Sequence, residues 1–66
     1  MEIVVNGDAR ETKSSLTVAE LLGELGLQAG RVAIERNREI LPRAQWPSTQ
    51  VQAGDRFEIV QFVGGG

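Results

Sequence analysis

The sequence lacks two chemically versatile residue types, since none of its 66 residues is histidine or cysteine. Without histidine the usual general base near neutral pH is missing, and without cysteine the thiol nucleophile is missing. Nitrogen and sulfur ligands for a metal are absent for the same reason, so we predict neither a metal site nor a bound cofactor. No disulfide can form, and nothing indicates an oxidising compartment.

The small size of the chain also argues against an independent enzyme. A chain of 66 residues forms one domain, and such a domain buries only about 60% of the surface that its unfolded chain exposes. That is enough for one small core, but not for a substrate cavity of roughly 300 Å³ as well. The size of the chain therefore argues against an enzyme that acts by itself.

Charge and hydropathy exclude two further classes of partner. The net charge is −2, and the cluster of arginines between Arg31 and Arg43 is interleaved with Glu35 and Glu39, which does not favour nucleic-acid binding. No apolar run approaches the roughly 18 residues of a membrane span. The first residues do not form a basic segment followed by an apolar one, so we expect no signal peptide and a cytoplasmic protein.

Short patterns along the chain predict five strands and one helix, in the order β-β-α-β-β-β. Asn6-Gly7 is a strong hairpin signal, because tight turns need residues that accept positive φ. Asn37-Arg38 is a weaker one, since arginine replaces the preferred glycine. The segment 44–49 is expected to be irregular. The predicted strands are residues 2–5, 9–13, 31–36, 39–41 and 56–63.

The helix is predicted to begin at Thr17 and to end at Gly26. Thr17 and Glu20 have the spacing of a capping box, in which each side chain satisfies a free backbone N–H of the other residue. Glycine is the usual residue where a helix ends in the left-handed conformation. Apolar residues then follow the i, i+3, i+4, i+7 spacing of one helix face: Val18, Leu21, Leu22 and Leu25.

One helix with one apolar face must cover one face of the sheet. The first and last strands are the most apolar, so we place them at the centre. The first hairpin then lies on one side and the third strand on the other. This is an α+β fold of the β-grasp, or ubiquitin-like, type, with a mixed sheet of four to five strands and one main helix packed on one face. We assign residues 1–63 to this domain and residues 64–66 to a flexible glycine tail.

Alternation along the strands assigns side chains to the two faces of the sheet. The predicted core comprises Ile3, Val5, Val18, Leu21, Leu22, Leu25, Val32, Ile34, Leu41, Phe57 and Ile59. Three apolar residues are left on the face away from the helix: Val4, Val60 and Phe62. Exposed apolar side chains that converge indicate a docking site, so we predict that these three contact a partner.

The last three residues, Gly64, Gly65 and Gly66, form the candidate functional site. Glycine has no Cβ, so a glycine tail is thin, flexible and able to enter a narrow channel of another protein. A carboxylate is a poor acyl donor until it forms a mixed anhydride with AMP, which a sulfur or nitrogen nucleophile can then displace. A carrier of this kind needs no catalytic side chain, and sulfur could reside on its terminal carboxyl group as a thiocarboxylate.

Several segments together resemble the ThiS family, the sulfur carriers of thiamine biosynthesis. The early Asn6-Gly7 and the helix start 17–22 are similar to that family. Residues 54–66 at the C-terminus are also similar to it. So is a central block, which consists of Trp46 and the segment Ala33-Ile34-Glu35-Arg36-Asn37-Arg38-Glu39-Ile40-Leu41-Pro42-Arg43. The Gly-Gly end is common to ubiquitin-like carriers, whereas its combination with the central block is specific. Arg38 departs from the frequent glycine of such turns without touching the chemistry.

The resemblance implies a defined set of reactions and partners. A ThiF-like adenylyltransferase would use ATP to adenylate Gly66, while the carrier itself would bind no cofactor. A cysteine desulfurase, directly or through a relay protein, would supply persulfide sulfur. The resulting thiocarboxylate would donate its sulfur to thiazole synthase, ThiG, for the thiazole ring.

Three alternatives stay open at the level of sequence. A sulfur carrier of molybdopterin synthesis shares the fold and the Gly-Gly end, but such chains are usually longer and lack the Pro-Arg-x-x-Trp block. A ubiquitin-like modifier would instead be joined to lysines through Gly66. A β-grasp binding module would have an inert tail. Function belongs to the site and not to the fold, so the chemistry of Gly66 distinguishes the three.

Overall fold

The computed structural model describes residues 1–62, in which five strands form one mixed sheet with a single α-helix packed against it. None of the helices within these residues is long and apolar enough to cross a membrane. The elements are β1 (Glu2–Val5), β2 (Asp8–Glu11), α1 (Val18–Glu24), β3 (Val32–Arg36), β4 (Glu39–Ile40) and β5 (Arg56–Gln61).

The strand order is β2-β1-β5-β3-β4, which confirms the predicted placement of the first and last strands at the centre. The central pair, β1 and β5, is parallel, and the other three pairs are antiparallel. Strand β5 pairs most extensively with β3, from Val32 opposite Gln61 to Arg36 opposite Phe57. The predicted β-grasp fold is thus confirmed for residues 1–62.

The helix begins as the sequence predicts. The Thr17 hydroxyl accepts a hydrogen bond from the Glu20 N–H at 3.1 Å, and the Glu20 carboxylate accepts one from the Thr17 N–H at 2.9 Å. This reciprocal capping box satisfies two N–H groups that a helix start leaves free. The helix itself ends at Glu24, and Gly26 follows in the left-handed conformation with φ 74°.

Both hairpin turns place two successive residues at positive φ. Asn6 and Gly7 have φ values of 50° and 86°, and Asn37 and Arg38 have 52° and 73°. The second turn therefore keeps the geometry of the first although arginine occupies its second position. Asparagine adopts positive φ more readily than most residues other than glycine.

The core lies between the helix and the sheet and includes most of the predicted residues. Leu25 and Leu41 are only partly buried against it. Three buried residues, Leu16, Trp46 and Val51, were not predicted. The expectation of an irregular segment 44–49 was also wrong, because a 3₁₀ helix spans Arg43–Ser48 and inserts Trp46 into the core.

Some predicted strand ends differ from the structure by one or two residues. The second strand runs from Asp8 to Glu11, and the third begins at Val32 because a 3₁₀ turn occupies Ala29–Arg31. The fourth strand contains only Glu39 and Ile40. Strand ends fray, and a shift of this size leaves the sheet unchanged.

Candidate functional site

The predicted tail residues Gly64, Gly65 and Gly66 lie outside the described residues, and what the structure describes is the strand that leads to them. Strand β5 lies in the middle of the sheet, between β1 and β3. Immediately after it, the Phe62 N–H donates a hydrogen bond to the Arg31 carbonyl at 2.8 Å. The described chain is therefore hydrogen-bonded to the sheet up to its last residue, Phe62.

One edge of β5 is held by the side chain of Asn6. Its Oδ1 accepts a hydrogen bond from the Ile59 N–H at 2.7 Å, and its Nδ2 donates to the Ile59 carbonyl at 3.1 Å. A side-chain amide offers the same donor and acceptor as a peptide group. The Asn6 side chain thus extends the bonding of β1 to β5 from Phe57 to Ile59 while its own backbone turns away into the hairpin.

The opposite edge of β5 is held by Asn37, a residue of the block that resembles ThiS. Its Oδ1 accepts from the Arg56 N–H at 2.9 Å, and its Nδ2 donates to Asp55 Oδ1 at 3.1 Å. Asp55 is only 5% exposed, and its Oδ2 accepts from Arg36 Nε at 3.0 Å and from the Gln52 N–H at 2.8 Å. This network fixes the start of β5 to the β3–β4 turn.

Trp46 and Arg43, which belong to the central block that resembles ThiS, make contacts within the domain. The buried indole Nε1–H of Trp46 donates to the Leu41 carbonyl at 2.8 Å. The Arg43 guanidinium lies 5.7 Å from the centre of the ring, within the range of a cation–π contact. The central block therefore holds the region around β4 against the core.

The open face of the sheet carries the residues predicted to dock a partner. Val60 and Phe62 are 60% and 53% exposed and lie on this face two residues apart. Val4 is half-buried and stands opposite Arg56 in the parallel pair of β1 with β5. Since Val60 lies four residues farther along the strand, it is about 13 Å from that position. The structure brings Val60 and Phe62 together but not Val4.

Sequence analysis missed an apolar residue on this face, Ile40, which is 79% exposed. Ile40 pairs with Glu35 and lines a groove of about 180 Å³ together with Ala33, Val60 and Glu58. Strand alternation could have identified it, because the neighbouring Leu41 was assigned to the core and Ile40 must then face away. We call the surface formed by Ala33, Ile40, Val60 and Phe62 the open-face patch.

Titratable groups give little indication of acid–base chemistry in the described part of the chain. Within residues 1–62, no three acidic or other metal-binding side chains converge in a way that could hold a metal ion. The pKa of Glu20 is held below its ordinary value because the Thr17 backbone N–H and hydroxyl bond to its carboxylate. That group caps the helix, so its altered pKa has a structural cause.

Comparison with known proteins gives a consistent result over the whole chain. A sequence model of the ThiS family matches residues 3–66. The sulfur carrier protein ThiS of Escherichia coli K12 is 36% identical over 66 residues, with all of both chains covered. A crystal structure of the thiamine biosynthesis protein ThiS from Geobacter metallireducens superposes with a TM-score of 0.85 at 40% identity, again over all of both chains.

Larger proteins also contain a similar segment. The thiazole synthase of Paramagnetospirillum magneticum is 48% identical over 66 residues, which cover all of this chain but 20% of that protein. The chain thus spans about a fifth of the length of the thiazole synthases that it matches.

Proposed function

We propose that this chain, which belongs to the ThiS family, is a sulfur carrier of thiamine biosynthesis. The observation that carries the proposal is the full-length match to the E. coli sulfur carrier, in which both chains are covered completely. The match includes residues 64–66, where the reacting carboxyl group would lie.

The proposed reacting group is the carboxyl of Gly66. One of its oxygens attacks the α-phosphorus of ATP on a ThiF-like adenylyltransferase, so that pyrophosphate leaves and an acyl-adenylate forms. The terminal sulfur of a persulfide, supplied by a cysteine desulfurase or a relay protein, attacks the acyl carbon and displaces AMP. A thiol then attacks the donor's cysteine sulfur in this acyl disulfide, so that a new disulfide forms between the thiol and the donor and the thiocarboxylate leaves on Gly66.

In this scheme the chain is a protein co-substrate, and its partners supply ATP and the catalytic groups. The described residues support the tail mechanically, because β5 is bonded along one edge by β3 and along the other by β1 and Asn6. A strand fixed in this way holds Phe62, the last described residue, at a defined place on the sheet. Gly64 and Gly65 would pass through the entrance of the enzyme, where a side chain would obstruct them.

We propose thiazole synthase as the acceptor of the sulfur. The support is that two thiazole synthases contain a segment similar to this whole chain. Proteins whose domains are joined in one chain in some organisms often act together as separate chains in others. A thiocarboxylated carrier should therefore transfer sulfur to a thiazole synthase from the same organism.

An intact-mass measurement tests the central claim. The purified chain is incubated with its cognate adenylyltransferase, ATP and a persulfide donor, and the mass is then recorded. Replacement of one oxygen by sulfur at Gly66 is the expected result. The proposal requires Gly66 to be the final residue of the mature protein, and the same spectrum measures this directly.

Deletion of Gly66 provides the matched control. The variant should retain the fold, because residues 1–62 carry the core, and it should gain no sulfur. Full loading of this variant would contradict the proposal, as would attachment of the wild-type chain to lysines of other proteins, which is the behaviour of a modifier.

We further propose that Val60 and Phe62 contact the adenylyltransferase, with Val4 at the margin of that contact. Charge introduced into an interface centre commonly lowers affinity, so Val60→Asp should reduce the loading rate roughly tenfold or more. The control is Ser14→Asp, which adds the same charge at an exposed position of the segment between β2 and α1, away from β5. Equal loading of the two variants would contradict this contact.

A further inference from the structure

Two glutamates stand directly opposite each other on the open face of the sheet. Glu35 of β3 is in register with Glu58 of β5, and both side chains are exposed. Side chains in directly opposite positions have Cβ atoms about 4.5–5.5 Å apart, and like charges placed there repel. The pair therefore does not stabilise the fold, so its presence needs another explanation.

No cation of the described chain neutralises this pair by contact. Within residues 1–62, the ion pairs closer than 4.0 Å involve Glu11, Glu24 and Asp55, and neither Glu35 nor Glu58. Arg38 and Arg56 line a neighbouring depression with both glutamates without forming an ion pair with them.

A second pair of opposed glutamates provides a contrast. Glu2 and Glu11 are in register between β1 and β2, and there the N-terminal ammonium group lies 3.7 Å from the Glu11 carboxylate. Among the described residues, the Glu2–Glu11 pair thus has a cation in contact, and the Glu35–Glu58 pair has none. The pair that lacks one is the pair beside the open-face patch.

The glutamate pair and the patch form one surface. Glu35 and Glu58 border the groove of about 180 Å³ that Ala33, Ile40 and Val60 line. An apolar groove with an adjacent pair of carboxylates is complementary to a basic side chain beside an apolar one. The aliphatic stem of lysine or arginine can cover apolar surface while its charged end reaches the carboxylates.

We propose that Glu35 and Glu58 together bind one lysine or arginine of the ThiF-like adenylyltransferase, whose neighbouring apolar side chain occupies the groove between Ile40 and Val60. A cation between two carboxylates forms charge-assisted hydrogen bonds and removes their mutual repulsion. Gly66 follows Val60 by six residues, a length of chain that can span at most about 22 Å. The inference rests on the proposed function, because it takes the adenylating enzyme as the partner.

The test compares two double variants that remove the same charge. Glu35→Gln/Glu58→Gln removes the proposed cation site. Glu2→Gln/Glu11→Gln removes the other opposed pair, which lies on β1 and β2 toward the other edge of the sheet. Affinity for the cognate adenylyltransferase is measured by titration calorimetry at low and high salt. The first variant should bind at least roughly tenfold more weakly at low salt, with the difference shrinking at high salt. The second should bind like the wild type.

A stability measurement excludes a merely structural role. Because Glu58→Gln removes a repulsion, its urea midpoint should equal or exceed that of the wild type. A clear loss of stability, or equal affinities of the two double variants, would overturn the inference. So would a wild-type chain that forms dimers which Glu35→Gln/Glu58→Gln dissociates, because the occupant would then be a second copy.

The inference and the proposed function can fail separately. If the wild type gains sulfur on Gly66 while both double variants bind the enzyme equally, only the cation site is wrong. If the wild type neither binds the adenylyltransferase nor gains sulfur on Gly66, the proposed function fails and the cation site fails with it.

Discussion

The two faces of strand β5 differ sharply although their residues alternate along six positions. On the helix side, Phe57 is 1% exposed and Ile59 is 7% exposed. On the other side, Glu58 and Val60 are exposed, and Val60 lies beside the groove. One strand thus serves folding with one set of side chains and leaves the other set available for contacts with partners. Substitutions on the two faces should therefore separate stability from partner binding.

The largest effect on stability should follow truncation of Phe57. A buried aromatic replaced by alanine typically lowers the free energy of unfolding by about 3–5 kcal/mol, because the cavity does not close completely. In a domain of this size, Phe57→Ala should be largely unfolded at modest urea concentrations, as followed by circular dichroism. The matched variant Val60→Ala should change stability by no more than about 0.5 kcal/mol. Similar losses for both would mean that the two faces are not distinct.

The next effect concerns the edge of β5, where Asn6 bonds to the backbone of Ile59. Asn6→Gly keeps a residue that accepts positive φ but removes both hydrogen bonds, and we expect a loss of about 1–2 kcal/mol. Hydrogen exchange of the Ile59 amide should accelerate, because its acceptor is the Asn6 side chain. Asn6→Asp retains that acceptor and should protect the amide better than glycine does. Unchanged exchange in Asn6→Gly would contradict the bridging role.

Much of this fold could be predicted because its strands and its helix have clear periodicity. Alternation in β1 and β5 placed Ile3, Val5, Phe57 and Ile59 in the core, where the structure has them. Leu16, Trp46 and Val51 were missed because they lie in connecting segments with no repeating pattern. Their burial depends on how those segments cross the core, which local sequence does not determine.

The candidate site was harder to predict because it depends on strand register. Val4 and Val60 share a face, but the parallel register places Val4 opposite Arg56, away from Val60. Ile40 was missed although Leu41, its neighbour in the predicted strand 39–41, had been assigned to the core, which places Ile40 on the open face. The importance of residues 64–66 was inferred from composition and from the resemblance to ThiS, and it stays a prediction.

Loss of the N-terminal cap of α1, the helix that covers the inner face of the sheet, should lower stability less than the Phe57 and Asn6 substitutions do. Thr17→Ala removes one half of the capping box, and such substitutions typically lower stability by about 1 kcal/mol. The matched control is Thr12→Ala, because among residues 1–62 the Thr12 hydroxyl donates to the adjacent Lys13 carbonyl and caps no helix. Urea unfolding should separate the two variants. Equal stability of both would show that the cap contributes nothing.

The smallest expected effect is the pH dependence that Glu20 gives to the same cap. Its pKa lies below the ordinary 4.5 because the Thr17 backbone N–H, first, and then the Thr17 hydroxyl bond to the ionised carboxylate. The folded state therefore binds the Glu20 proton less readily than the unfolded state. The cap stabilises the fold above the ordinary pKa and loses that effect as the pH falls through the lowered pKa.

The stability difference between wild type and Glu20→Gln should accordingly be present at neutral pH and shrink as the pH falls through the lowered pKa of Glu20 and its carboxyl becomes protonated. A carbon-detected NMR titration gives the same information at the residue itself. In Thr17→Ala the pKa of Glu20 should move back toward 4.5 without reaching it, because the backbone N–H still donates to the carboxylate. If the wild type and Glu20→Gln lose stability in parallel as the pH falls, the Glu20 carboxylate does not contribute to the cap. The helix would then owe its start to packing of Val18, Leu21 and Leu22 alone.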